Sequence, residues 1–201
     1  MIQSASREVT PAFTLHQMSY SALLHAKSGG RGHYLDTVTA MLLCPLTVEA
    51  VLNHVGAYLF LEKSYEPEVW AAVEWLRPEK KLDAIAERSR LAIDKGVAPF
   101  QDFKAMFGFR RQLAHGRSVS LSTTEIPAHA VDDEGYLLEM RVPGLLAEWE
   151  SLVDIKTAER WRASVRGISD ELSSAAGCID PTVVGNGVTY LGGLAAASDE
   201  V

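Results

Sequence analysis

Residues 103–117 read FKAMFGFRRQLAHGR, the pattern of an amphipathic helix that ends in two arginines, a histidine and a glycine. At about 100° per residue, one face of this helix collects apolar side chains that should meet a core. Arg110 falls in the middle of that face, where an unpaired buried charge costs several kcal/mol, so it needs an anionic partner or a wet cavity. The apolar side chains of the face are Phe103, Met106, Phe107, Leu113 and Ala114.

An earlier apolar segment, residues 36–63, has a similar stripe with Glu49 at its centre. One helix carries a negative charge in its apolar face and the other a positive charge. This pattern predicts a contact between Glu49 and Arg110 where the two faces meet. Asn53, one turn after Glu49, should border that contact. The stripe contains Val38, Met41, Leu42, Leu52, Gly56 and Leu59.

The end of the arginine helix adds an imidazole to this predicted pair. His115 lies one turn after Arg111, at the edge of the apolar face, and Gly116 predicts a left-handed stop just beyond the helix. The residues therefore predict a Glu/Arg pair with a histidine at its rim, an arrangement that suits a phosphate or RNA site.

Two segments resemble HEPN domains. Residues 110–116, RRQLAHG, resemble their motif of an arginine, a polar residue, a short spacer and a histidine near the end of the third core helix. Residues 46–54, LTVEAVLNH, are similar to their first core helix, including its acidic residue. The resemblance implies a four-helix up-and-down bundle, commonly a homodimer with its cleft at the two-fold axis.

Many HEPN domains are metal-independent RNA nucleases of toxin–antitoxin and antiphage systems. By position, the resemblance makes Arg110 the phosphate-binding arginine, His115 the catalytic histidine and Glu49 the residue that orients the arginine. One departure is Arg111, because the position after the arginine is usually Asn, Asp or His. A cation there either adds phosphate affinity or marks a non-catalytic member.

The charge balance limits how RNA can bind. A net charge of −7 and a pI near 5.4 argue against a broad nucleic-acid-binding face, so an RNA site needs a locally basic cleft. Arg110, Arg111 and Arg117 would supply it, and Asn53 and Gln112 would add polar contacts.

Other features of the chain indicate a protein of the cytoplasm. Cys44 and Cys178 have no metal-ligand spacing and predict reduced thiols, and we expect neither a metal nor a cofactor. The first residues lack the pattern of a signal peptide, and no uninterrupted apolar run reaches the length of a membrane span.

The predicted fold is mainly α. Residues 1–33 form an arm and a short extra helix, 14–27; residues 34–177 form the HEPN-like domain; residues 178–201 form a flexible tail. Alternation of apolar and polar residues predicts a β-hairpin inserted at about 117–143. The predicted core helices are 34–63, kinked or split by Pro45, then 68–77, 79–94, 100–115 and 145–175.

Three residues invite separate interpretations. Trp70 and Trp75 are interpreted as packing residues rather than as a platform for bases, because aromatics at helical spacing usually belong to cores. Gly108, inside the arginine helix, suggests close approach of another backbone, for example that of a partner subunit.

Three functional hypotheses follow. The first is an endoribonuclease that forms cyclic phosphates in single-stranded or looped RNA, since such cleavage needs a proton-transferring group and a cation for the phosphate. The second is a non-catalytic HEPN-like module, dimeric, that binds or scaffolds another molecule and keeps the Glu/Arg pair. If the residues form no site at all, Glu49 and Arg110 are a structural ion pair and His115 caps a helix end. The third is the target half of a toxin–antitoxin pair, silenced by an antitoxin or a nucleotidyltransferase.

Overall fold

The computed structural model describes residues 10–30, 32–116, 118, 120–122 and 145–183. This part of the chain is mainly α-helical, as predicted, and contains no strand. Its helices are α1 (Pro11–Lys27), α2 (His33–Ala57), α3 (Pro67–Glu74), α4 (Pro78–Ser89), α5 (Gln101–His115), α6 (Glu148–Ser151) and α7 (Ile155–Ala176), and a π-helical segment, Tyr58–Lys63, continues α2.

Helix α2 is the centre of the fold. It contacts α1, α3, α4, α5 and α7. The predicted stripe covers only part of the buried surface of α2, because the surrounding helices also bury side chains outside that stripe. The buried set includes Ala40, Met41, Cys44, Val48, Val51, Leu52 and Val55.

Helix α2 is not split at Pro45. A proline removes one backbone N–H from the helical ladder, here the donor that would bond to the carbonyl of Met41. The surrounding helices bury Pro45 and hold the segment on both sides. Thr47 Oγ1 also donates to the Leu43 carbonyl at 2.7 Å. Tertiary packing here outweighs the cost of the missing hydrogen bond.

The short helix predicted at 14–27 forms as α1 and shares the core of α2. It packs on both α2 and α7, with Ala12 and Leu23 buried in the common core. Ser19 Oγ donates to the Ala40 carbonyl at 2.8 Å and so joins the two helices. The predicted boundary at residue 33 therefore separates two parts of one core.

The last predicted helix, 145–175, is wrong as a single element. The chain forms α6, leaves the helical path at Val153 and Asp154, and starts again as α7. Asp154 causes the restart, because its Oδ1 accepts from the Thr157 backbone N–H at 2.9 Å, as an N-cap does. Gly177, at φ 78°, ends α7 in the left-handed conformation.

The tail starts later than residue 178. Asp180 Oδ1 accepts from Ser169 Oγ of α7 at 2.6 Å, and Thr182 is only 4% exposed. Residues 184–201 of the predicted tail lie outside the described residues, as does most of the predicted hairpin at 117–143. Residues 118 and 120–122 are described and are not in a strand.

Helix α4 was predicted to reach residue 94 but ends at Ser89, because Arg90 takes a left-handed conformation with φ 58°.

The buried face of α5 differs from the predicted stripe. Ala114 is exposed, whereas Phe109 is 1% exposed and packs edge-on against Trp161 at 5.5 Å between ring centroids. The face includes Phe109 because α5 packs against α7 as well as against α2.

The segment His33–Lys63 is long and apolar enough to cross a membrane, with a mean hydropathy of 1.6. In the 18-residue window of this segment that has that hydropathy, 56% is buried inside the fold. Core helices of soluble proteins share this length and composition, so the structure is compatible with a soluble protein.

Candidate functional site

The predicted contact between Glu49 and Arg110 is present where α5 packs on α2. Arg110 Nη1 donates to Glu49 Oε2 at 2.7 Å. The side chains are 35% (Arg110) and 32% (Glu49) exposed, so the pair lies at the edge of the core and remains accessible to a ligand. A charge-assisted hydrogen bond of this kind holds the guanidinium in one orientation.

Arg110 opens onto a cleft of 540 Å³ between α5 and the start of α4. The cleft holds three guanidinium groups and one imidazole against one carboxylate, a local excess of positive charge in a chain of net charge −7. We call it the cationic cleft. It is lined by Arg77, Pro78, Glu79, Phe107, Arg110, Arg111, Ala114 and His115.

The last turn of α5 presents two of these side chains to solvent. Arg111 and His115, one turn apart, are both exposed and line the cationic cleft. Gly116 then leaves the helix in an extended conformation, with φ −62° and ψ 138°, so the predicted left-handed stop is wrong. The glycine is required for another reason, because a Cβ at this position would overlap the Gln112 carbonyl.

Lys81 joins this site from α4, and the sequence prediction missed it. Its Nζ donates to Asn53 Oδ1 at 2.5 Å, although the residue is only 4% exposed. Burial lowers the pKa of Lys81, and the nearby carboxylates of Glu49 and Glu74 act in the opposite direction. A signal existed in the sequence, since Lys81 is one turn before Ile85 on the buried face of α4.

Glu49 also faces a second groove, of 580 Å³, between the start of α1 and the middle of α2. Asn53 lines this groove beside Glu49, as predicted from their spacing. The Glu49–Arg110 pair therefore lies between an apolar groove and the cationic cleft. The groove is lined by Thr10, Pro11, Leu15, Leu46, Glu49, Ala50, Asn53 and His54.

Two further predicted residues are not brought to the cationic cleft by the described structure. Gln112 lines a separate cleft of 550 Å³ together with Trp149. Its Oε1 is buried and accepts no hydrogen bond from the described residues. Arg117 lies outside the described residues.

Arg77 completes the cationic cleft and was not predicted. It stands directly before Pro78, the first residue of α4, and is exposed. No local pattern marks it, because only the packing of the helices brings the start of α4 beside the end of α5.

Comparison with known proteins finds no matching family model, no matching curated protein and no matching solved structure. The resemblance to HEPN domains therefore rests on residues 46–54 and 110–116 alone.

Proposed function

We propose that the chain is a metal-independent endoribonuclease of HEPN type. Arg110 binds the phosphate, His115 transfers protons and Glu49 orients Arg110. The observation that carries this proposal is the 2.7 Å hydrogen bond between Arg110 and Glu49 at a cleft that His115 also lines. An oriented cation and a proton-transferring group at one cleft are the two components that RNA cleavage requires.

Glu49 and Arg110 have complementary roles in this proposal. A guanidinium carries five N–H donors in a rigid fork, and among the described residues one of them is used, by Glu49. The remaining donors suit the bidentate geometry of a phosphate. Because Glu49 already accepts from the fork, it positions the cation and does not act as the base.

The reaction is a transfer within the RNA strand. The 2′-oxygen attacks the adjacent phosphorus, the bond from phosphorus to the 5′-oxygen breaks, and the products are a cyclic phosphate and a 5′-hydroxyl. One proton leaves the 2′-oxygen and one reaches the 5′-oxygen. Neutral His115 can accept the first, and its imidazolium can supply the second.

Further cations strengthen phosphate binding in this proposal. Arg77 and Arg111 line the same cleft, and Arg117 is two residues after His115 in the sequence. Asn53 and Gln112 line other clefts and are left out of the contacts proposed for RNA in the cationic cleft. The substrate is single-stranded or looped RNA, whose backbone can enter a cleft of this size.

The proposed setting follows the resemblance. The helices form a HEPN-type four-helix bundle that acts as a homodimer in the cytoplasm, in a toxin–antitoxin or antiphage system. An antitoxin or a nucleotidyltransferase is the cognate partner in that setting.

An alternative is a non-catalytic dimeric binding or scaffold module with the same fold. Arg111 favours it, because this position departs from the HEPN pattern and places another exposed cation next to Arg110 in the chain. Such a module keeps the Glu49–Arg110 pair and binds a ligand without RNA turnover.

The test is cleavage of a panel of single-stranded and hairpin RNAs by the purified chain in EDTA. We expect His115→Ala and Arg110→Ala each to slow cleavage by about 100-fold or more. His25→Ala and Arg166→Ala, at exposed positions on α1 and α7, are the matched controls and should cleave normally.

Product analysis gives a second criterion. RNA methylated at the 2′-oxygens should resist cleavage, and the unmodified RNA should yield cyclic phosphate ends. A folded wild-type protein that cuts no RNA in the panel, or that cuts equally well without His115, would contradict the proposal and favour the binding module.

A further inference from the structure

Trp75 is the feature that the proposed reaction does not use. It is 86% exposed at the end of α3, whereas Trp70, one turn and a half earlier, is 7% exposed. The interpretation as a packing residue is therefore correct for Trp70 and wrong for Trp75. An indole presents a large apolar surface, and one this exposed is unusual without a ligand or a partner.

Trp75 is close in the chain to a residue of the cationic cleft. Arg77, which lines the cleft, is two residues later, and two residues span at most about 7 Å. The connection is short and defined, because Leu76 N–H donates to the Val73 carbonyl at 3.0 Å and Pro78 begins α4. The Cα atoms of Trp75 and Arg77 are therefore at most about 7 Å apart, and both side chains are exposed.

The charges beside Trp75 indicate what covers it. Arg77 and Arg111 are exposed and line the adjacent cleft, so a ligand that reaches both the indole and the cleft must combine anions with flat apolar surfaces. Unpaired nucleotides have this combination, since every base offers a π-face and every linkage a phosphate. Bases within a duplex are stacked on one another and cannot meet an indole in this way.

We propose that Trp75 and Arg77 bind one nucleotide of single-stranded RNA next to the cationic cleft, with the base stacked on the indole and the adjacent phosphate on Arg77. This assignment rests on the proposed function in that RNA occupies the cleft. It restricts the substrate to strands with an unpaired base at this position, and it does not require cleavage.

Binding is measured with a single-stranded 2′-O-methyl oligonucleotide of mixed sequence, which cannot be cleaved through its 2′-oxygens. Fluorescence anisotropy gives the affinity. Trp75 is much more exposed than Trp70, Trp149 and Trp161, so binding should also quench the protein's tryptophan emission.

The variants separate stacking from charge. Trp75→Leu should weaken binding by roughly 5- to 150-fold, and Trp75→Phe should retain most of the affinity. Arg77→Gln should weaken binding and lower the slope of log affinity against log salt by about 0.7. Tyr65→Leu is the matched control: Tyr65 is 83% exposed but precedes α3, about 12 Å along the helix from Trp75, and its loss should leave the affinity unchanged.

The outcomes distinguish this assignment from the nuclease proposal. If the chain cleaves RNA but Trp75→Leu binds the oligonucleotide as well as wild type, the assignment is overturned and the nuclease remains. If Trp75→Leu weakens binding but no RNA is cut, the assignment is supported and the nuclease proposal fails. If Trp75→Leu changes only the oligomeric state, Trp75 belongs to a protein interface and the assignment is overturned.

Discussion

Arg110 and Arg162 both lie on helices that pack against α2, but the structure satisfies their guanidinium groups differently. Arg162 Nη1 donates to the His16 carbonyl at 2.7 Å, and its guanidinium lies 5.1 Å from the centroid of the Tyr20 ring. Burial lowers the pKa of Arg162. Arg110 instead makes its hydrogen bond to Glu49 at the edge of an open cleft. Arg162 is held on several sides by the fold, and Arg110 is held on one.

The surroundings of Arg162 explain this difference. His16 Nε2 lies 3.4 Å from Arg162 Nη2, and Arg162, Arg166 and Asp180 all act on the imidazole. Burial, assisted by the two arginines, lowers the pKa of His16 to about 4, while Asp180 acts in the opposite direction. A neutral imidazole accepts from the guanidinium, so this arginine links α1 to α7. We therefore expect Arg162 to stabilise the fold and Arg110 to bind substrate.

The largest expected effect distinguishes the two arginines: loss of Arg162 should lower stability, and loss of Arg110 should lower the rate of RNA cleavage. Arg162→Ala should lower the free energy of unfolding by about 1–3 kcal/mol, because it leaves its partners unpaired, while RNA cleavage per folded molecule stays normal. Arg110→Ala should change stability by at most about 1 kcal/mol, since its ion pair is partly exposed, and should slow cleavage by about 100-fold or more. Denaturant titration and initial cleavage rates measure the two quantities. Loss of cleavage in folded Arg162→Ala would contradict the comparison.

An intermediate effect concerns the helix that carries Arg110. A Cβ at Gly108 meets no atom of the described residues within 4 Å, so none of them requires this glycine, and Gly108→Ala should stabilise the chain by about 0.5–1 kcal/mol. Gly56→Ala is the matched control in α2, where a Cβ would overlap the Trp70 ring, and it should destabilise by about 1–3 kcal/mol. Thermal and denaturant unfolding measure both variants.

The predicted partner subunit at Gly108 is tested by the same variant. If Gly108→Ala lowers stability and shifts a dimer toward monomers in light scattering, a second subunit packs on α5 near the cationic cleft. The site would then be shared between subunits, in contrast to the cluster around Arg162.

The smallest effect is the pH dependence that His16 contributes. The pKa of His16 is about 4 in the folded chain, whereas the ordinary value of 6.5 applies to the unfolded chain. Between pH 4 and 6.5 the unfolded chain therefore binds more protons than the folded chain. Stability should therefore fall as the pH drops from about 6.5 toward 4. Because His16 is only partly buried, solvent screening reduces its share to about 1 kcal/mol. The difference between wild type and His16→Gln in denaturant titrations at several pH values isolates this share, and equal pH dependence in both would refute it.

Sequence reasoning located the central pair because its signal is local. One charge inside each of two apolar stripes identifies Glu49 and Arg110, and the structure places them 2.7 Å apart. The helix starts at Pro67 and Pro78 and the glycine stop at Gly177 follow equally local rules. Of the two outcomes predicted for Pro45, a kink or a split, the split is wrong, because neighbouring helices hold the chain in one helix. The same reasoning failed at Asp154, whose capping bond divides the last helix.

The sequence by itself determined a mainly helical chain, the positions of most helices and the facing charges of α2 and α5, because helical periodicity and end signals act over a few residues. The tertiary structure alone decided that Arg77 joins Arg110 at one cleft, that Lys81 is buried against Asn53 and that Trp75 is left exposed. These features depend on how distant helices pack. The physical reason is that burial and neighbourhood arise from all the surrounding elements together, and no single segment contains that information.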